Sequence, residues 1–159
     1  MSDRRTDIIN KLEDNLETSI TFFQSLTADQ LAIQVYTEDP FWTVKQVLAH
    51  FITIEKSMQW LFKDMLSGGP GTPDDFDLER YNRTQPAKLD PLTIEELIAQ
   101  FRSVRDDTIR VVKEMTDADL DREGRHAFHG HGRLERFLRW TYEHIKLHEG
   151  DIRTALGKK

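Results

Sequence analysis

Four stretches of this chain place apolar residues at alternating steps of three and four, which restricts the fold to packed helices before any side-chain chemistry is considered. The first runs Ile9, Leu12, Leu16, Phe23 and Leu26, with Ser19 in the missing slot and Ile20 beside it. The second runs Val47, Phe51, Ile54, Met58, Leu61 and Met65. The third, the most regular, runs Ile94, Leu97, Phe101, Val104, Thr108, Val111 and Met115. The fourth opens with Leu134, Phe137 and Thr141 and resumes at Ile152 and Ala155. At about 1.5 Å per residue each stretch makes a rod on the order of 30 Å long. Rods of similar length with one apolar stripe each, and no internal repeat, predict an all-α four-helix bundle in one domain over residues 1–159. Only 8 glycines and 5 prolines occur in 159 residues, too few for a fold built of turns.

Start and stop signals bound these rods. Thr43 with Gln46, and Thr93 with Glu96, each form the pattern of a capping box. Thr27 followed by Asp29 and Gln30 predicts a short helical turn, and Asp39-Pro40 breaks the chain before the second rod. The run SGGPGTP at 67–73 ends that rod. Two connections are long for a bundle. Residues 67–92 have only a weak apolar pattern (Phe76, Leu78, Tyr81), and a link of that length can traverse the bundle. Residues 116–132 carry His126, His129 and His131 among glycines, as a loop over a site or a core end does.

Charge and composition exclude several classes of function. A formal net charge of -6 opposes a general grip on nucleic acid, and no recognition-helix pattern is present. No apolar run approaches the roughly 18 residues of a membrane span, and the first ten residues lack the apolar core of a signal peptide. The chain is therefore expected to be cytoplasmic, with neither membrane nor nucleic acid as partner. Without cysteine there is no disulfide, no thiolate metal ligand and no thiol nucleophile of the chain's own. Any chemistry rests on histidines, carboxylates and hydroxyls, or on a borrowed ligand.

The fourth stripe breaks at two positions, and both breaks are histidine. His144 and His148 fall within roughly 20° of Phe137 on a helical projection, where apolar residues belong. Glu135, Arg139, Lys146 and Glu149 project the other way. Two imidazoles in a buried stripe are costly unless their nitrogens find partners. Hydrogen-bonded core histidines are one solution. A divalent ion held by both, one turn apart, is the other. His50, about 60° from the seam of the second stripe, can supply a third nitrogen across a groove. Three imidazoles leave coordination positions open, and zinc or nickel suits such a donor set.

Further residues are weighed against plainer roles. Asp151, at about 40° from the centre of the fourth stripe, is placed to bond a liganding imidazole or line the site. Glu55, five residues after His50, is a candidate general base. Either can equally be a solvated or interface carboxylate. The loop histidines could hold a metal themselves, although glycine-rich flexibility argues against a preformed site. Arg133, Arg136 and Arg139 read as a solvated face, and Trp42, Trp60 and Trp140 as core or dimer contacts.

The run FWTVKQVLAHFITIEKSMQWL at 41–61 resembles the second helix of the DinB-like superfamily, with its W-[ST]-x-x-x-[VL]-L-x-H signature. The run GRLERFLRWTYEHIKLHEGDI at 132–152 resembles that family's last helix, with HxxxH, a polar residue and isoleucine. The resemblance implies an up-down-down-up bundle with a long crossover between the second and third helices. It maps the metal triad onto His50, His144 and His148 and implies a homodimer. It also implies a small-molecule substrate and thiol-dependent S-transfer, with bacillithiol or mycothiol as cosubstrate. The alternative is a non-catalytic bundle that binds a small ligand or is stapled by its metal.

Overall fold

The computed structural model describes residues 3–157. Along the chain run α1 (Arg4–Gln24), α2 (Ala28–Leu31), α3 (Val44–Leu66), α4 (Leu78–Thr84), a 3-10 turn (Pro86–Leu89), α5 (Ile94–Lys113) and α6 (Asp117–Leu120). A hairpin of β1 (Glu123–His126) and β2 (Gly130–Arg133) follows, and α7 (Leu134–Ala155) closes the fold. The expected caps are present. Thr43 with Gln46 and Thr93 with Glu96 form reciprocal capping boxes, and Thr27 with Gln30 caps the short α2 in the same way. Each satisfies backbone donors that a helix start leaves orphaned.

Long-range bonds give the helix directions. The start of α1 meets the end of α5, where Arg5 Nη1 donates to the carbonyl of Met115 at 2.9 Å. Nearer the other end of α1, Arg102 pairs with Glu17 at 2.8 Å, so α1 and α5 are antiparallel. Arg4 pairs with Glu135 and Arg139 with Asp7, so α1 and α7 start together and run parallel. Position rises together in α3 and α5, from Lys45 beside Asp90 to Gln59 beside Thr108. The four long helices are therefore up, down, down, up. The crossover of residues 67–93 returns the chain to the start of α5.

The core is divided. One apolar cluster, centred on Phe23, Phe51 and Phe101, fills the end where α3 begins; another, around Phe62, Phe137 and Met65, fills the opposite end. Between them lies a polar layer built on Arg105, which is fully buried. Its guanidinium donates to Glu55 from Nε at 3.0 Å and from Nη2 at 3.0 Å, and from Nη1 to the Leu12 carbonyl at 2.8 Å and Asn15 Oδ1 at 3.1 Å. Thr108 donates to the same carboxylate at 2.7 Å and accepts from Gln59 at 2.9 Å.

Three details depart from the sequence reading. Glu149 does not project outward: it is buried, its Oε2 has no partner, and burial raises its pKa. Helix α7 packs against both α1 and α3, so its inward face is wider than one stripe. Arg139 is not merely solvated, since it bridges Asp7 at 2.8 Å and Glu135 at 3.0 Å. The glycine-rich loop is not featureless: Glu123 pairs with Arg133 through His126 with Gly130 as an antiparallel ladder on an otherwise helical frame. Its turn is closed by His126, whose Nδ1 accepts from the backbone N–H of Phe128 and His129 at 3.0 and 3.1 Å.

The hairpin is stitched to the crossover. Thr72 N donates to the Arg125 carbonyl at 2.8 Å, and Arg125 N donates to that of Pro70 at 2.9 Å. Gly71 between them has φ +96°, and a Cβ there would lie 2.5 Å from Arg125 N. Only glycine permits that backbone conformation and approach. The two long connections are thereby joined into one wall.

Candidate metal centre

Helix α3 carries His50 and helix α7 carries His144 and His148, and the antiparallel packing of the two sets them facing one another. His148 Nε2 lies 2.9 Å from His144 Nε2, which lies 3.4 Å from His50 Nε2. One ring nitrogen from each residue lies within 4.8 Å of the other two. Among the described residues this is the one group of three or more His, Cys, Asp or Glu side chains so disposed. His50 is buried, 2% exposed, while the other two are partly buried and open to a cavity.

The electrostatics favour neutral rings. Burial pushes His50 well below its usual pKa, with the neighbouring imidazoles adding to the shift. Burial and His148 hold His144 at about 3. Burial holds His148 at about 4, against the opposing pull of Asp151. Three converging nitrogens that resist protonation form a set of lone pairs suited to a cation, because imidazole binds metal only as the free base. His50 Nδ1 is buried without a hydrogen-bond partner, and its ring is held by Trp42, stacked at 4.4 Å between centroids and 27° between planes. The donor set fits a first-row divalent ion.

A loop places two aromatic residues beside the trio. Between α2 and α3 the chain folds back on itself: Val35 N donates to the Trp42 carbonyl at 2.8 Å and Val44 N to that of Ile33 at 2.9 Å. This sets Trp42 against His50 and brings the Tyr36 hydroxyl to within 2.5 Å of His148 Nδ1 and 2.7 Å of Asp151 Oδ2. Asp151 thus reaches the His148 ring through Tyr36. Nothing in the spacing of residues 32–42 could reveal this, because that stretch has no helical period. The aromatic Tyr36 and Trp42 flanking Asp39-Pro40 were the available signal.

Glu55 is not brought to the trio. Both of its oxygens are bound by Arg105 and Thr108 in the polar layer, and it is 1% exposed. Its neighbourhood on the helix predicted a base beside His50. The guanidinium on α5 recruits it as a structural counter-ion instead, and the general-base role is corrected accordingly. The loop histidines do not make a second centre among the described residues. His126 is committed to the hairpin turn, His129 Nε2 is buried without a partner, and His131 pairs with Glu123 at 3.1 Å on the surface.

The trio opens onto a cavity of about 750 Å³. Its sides are α3 and α7, with Phe76 and Tyr81 of the crossover on one flank and His126 and Phe128 of the hairpin on another. Of six large apolar side chains left exposed among the described residues, four (Trp60, Phe76, Phe128 and Leu147) line this cavity. Phe128 stacks on Trp140 at 5.6 Å with an interplanar angle of 4°. Among the described residues, Lys56 is the only Lys or Arg in the lining and Asp151 the only carboxylate. The expected rim from residues 116–132 is present through His126 to Phe128, and the crossover supplies the larger share, from Thr72 to Asn82.

A family model described as the DinB superfamily matches residues 11–152. No curated protein matches the chain. Four solved chains match it. Among them is YfiT from Bacillus subtilis, described as a probable metal-dependent hydrolase with an unusual four-helix bundle topology. It is 18% identical, with a TM-score of 0.77 and an alignment covering 100% of this chain and 91% of that one. At that identity the likeness establishes a shared fold. No helix among the described residues is long and apolar enough to cross a membrane.

Proposed function

The chain belongs to the DinB superfamily, and on that premise we propose that it is a divalent-metal-dependent enzyme that transfers a low-molecular-weight thiol to an uncharged, largely apolar electrophile. One observation carries the reading: three neutral imidazole nitrogens converge at one end of a 750 Å³ cavity with aromatic walls. His50, His144 and His148 would hold zinc or nickel. When bound, the ion would supply the positive charge that lowers the pKa of a thiol or water entering its open position. The protein supplies the rest. Trp42 and Tyr36 fix two of the rings, Asp151 is the cavity's one carboxylate for a released proton, and Phe128 with Trp140 offers a flat apolar face to the electrophile. The lack of cysteine fits a nucleophile brought in from outside.

Three protein donors favour an enzyme over a structural staple, since structural zinc sites are normally closed by four. The proposed assembly is a homodimer in the cytoplasm acting on a small molecule; light scattering reads the first. The test of function is turnover. Zinc- or nickel-loaded protein should consume an aromatic electrophile with bacillithiol, mycothiol or glutathione, and should lose that activity on chelation. The description of YfiT supports a second reading, hydrolysis, in which water takes the place of the thiol. Turnover of an aryl ester without any thiol selects hydrolysis, and failure of every thiol overturns the transfer reading.

A further inference from the structure

The hydroxyl of Tyr36 is shared by two partners whose hydrogen-bonding capacities differ. As a carboxylate, Asp151 only accepts, so at 2.7 Å the single phenolic proton belongs to that bond. The other contact, between the Tyr36 oxygen and His148 Nδ1, then needs a proton from the ring. From this geometry we infer that Tyr36, anchored by Asp151, is a positioning residue that locks His148 as its Nδ1–H tautomer and leaves Nε2 bare towards His144 and His50.

The inference rests on the metal-site reading and adds to it how the site is set before any ion arrives. A bare Nε2 on His148 explains the 2.9 Å approach of His144 Nε2, which then donates its own proton into that lone pair. For a cation to take the place of that shared proton, His144 shifts its own proton from Nε2 to Nδ1, so its ring stays neutral and its Nε2 lone pair is freed. The opposite tautomer of His148 would direct a proton from Nε2 into the trio and leave Tyr36 without a donor to accept from. Tyr36 also packs edge-on against both His148 and Trp42, with centroids 5.8 and 6.4 Å away, so its ring is held by the loop that also holds His50. Partners of this kind on the far side of a liganding imidazole tune metal affinity by roughly 10–100-fold.

The experiment is nitrogen NMR of the histidine rings in chelator-treated full-length protein, paired with zinc affinity by competition with a chromophoric chelator. Wild type should show His148 protonated at Nδ1 and bare at Nε2. Tyr36→Phe should lose that single assignment and weaken zinc binding by about 10–100-fold with one-to-one stoichiometry retained. Asp151→Asn keeps a carbonyl acceptor for the Tyr36 proton and should preserve the tautomer. A bare Nδ1 in wild type, or zinc affinity unchanged in Tyr36→Phe, overturns the inference. If Tyr36→Phe does not fold, the wild-type spectrum still decides. If wild type binds no zinc, the metal-site reading fails, and the tautomer is judged separately from its own signals.

Discussion

The Arg105 layer and the histidine trio are both polar clusters sunk into the apolar interior of one bundle, yet they meet the cost of burial in opposite ways. In the layer, every strong donor faces an acceptor: the guanidinium spans Glu55, Asn15 and the Leu12 carbonyl, and Thr108 completes the carboxylate. The trio places ring nitrogen against ring nitrogen, with one orphaned Nδ1 behind. The first cluster is complete as the chain folds. The second is left incomplete, with facing ring nitrogens that have too few protons to bridge them all, and it alone opens to the cavity. Burial by itself therefore does not distinguish the candidate site from the structural layer in this protein; the balance of donors and acceptors does.

The most forceful way to break this comparison is to remove Arg105. Arg105→Ala leaves the Glu55 carboxylate buried without its counter-charge, and denaturant unfolding should show a loss of about 3–5 kcal/mol. Replacing the pair together, Arg105→Met with Glu55→Leu, should recover most of that loss, because apolar residues of similar volume need no counter-charge. Metal stoichiometry in the double variant should stay at one. A double variant as unstable as the single one would mean that the layer contributes more than mutual neutralisation.

His148→Ala tests the other cluster and should do the reverse. Metal binding, read by elemental analysis of protein loaded and then desalted, should fall from one ion per chain to none. The unfolding midpoint of the chelator-treated protein should change little, because the ring removed is partly exposed and contributes no apolar cluster. Unchanged stoichiometry would remove His148 from the ligand set. A large loss of stability without metal would make the trio a second structural layer.

How much of this was legible in the sequence follows from the same contrast. Histidine is conspicuous in an apolar stripe, so His144 and His148 stood out against Phe137 and Ile152, and His50 followed from helical geometry. Arg105 sits next to Val104 on the inward face of α5, but an arginine reads as surface unless its partners are known, and those lie 50 and 90 residues away in sequence. Glu55 was misplaced for that reason. Seams also drift at 3.6 residues per turn: Ile8 and Val112 are fully buried where the near-heptad reading chose Ile9 and Val111. The caps of α3 and α5 were legible because capping is local. Tyr36 and the stitching of the hairpin to the crossover were not, since each acquires its role from a contact across the fold.

Acid separates the two clusters more gently. The folded state holds His144 at about 3 and His148 at about 4, against 6.5 ordinarily. Below pH 6.5 the unfolded chain takes up protons that the folded chain refuses, so stability present above that value is lost as pH falls towards 4. Zinc affinity shares the sign, because protons compete for the same lone pairs. Both the chelator-treated melting temperature and the zinc affinity should decline from pH 7 to pH 5. His148→Ala should flatten the decline in melting temperature, whereas the Arg105→Met, Glu55→Leu pair should leave it in place. A flat wild-type profile would show that the rings are less buried in solution than their packing implies.

The smallest effect sharpens the comparison from a third side, with a histidine that is buried and yet satisfied. His126 is 6% exposed and lies in the cavity wall, with its pKa lowered to about 4 chiefly by burial. By burial and residue type it belongs with the trio. By hydrogen bonding it belongs with the Arg105 layer, since its Nδ1 already accepts the two turn amides. If donor and acceptor balance is the right criterion, His126→Ala should cost about 1 kcal/mol through the lost turn bonds and leave one zinc per chain. Its imprint should appear instead in the wall, as faster amide exchange in the hairpin around Phe128 and weaker binding of an apolar ligand. Loss of zinc on this substitution would mean that proximity to the cavity, rather than an unfilled lone pair, selects the ligands.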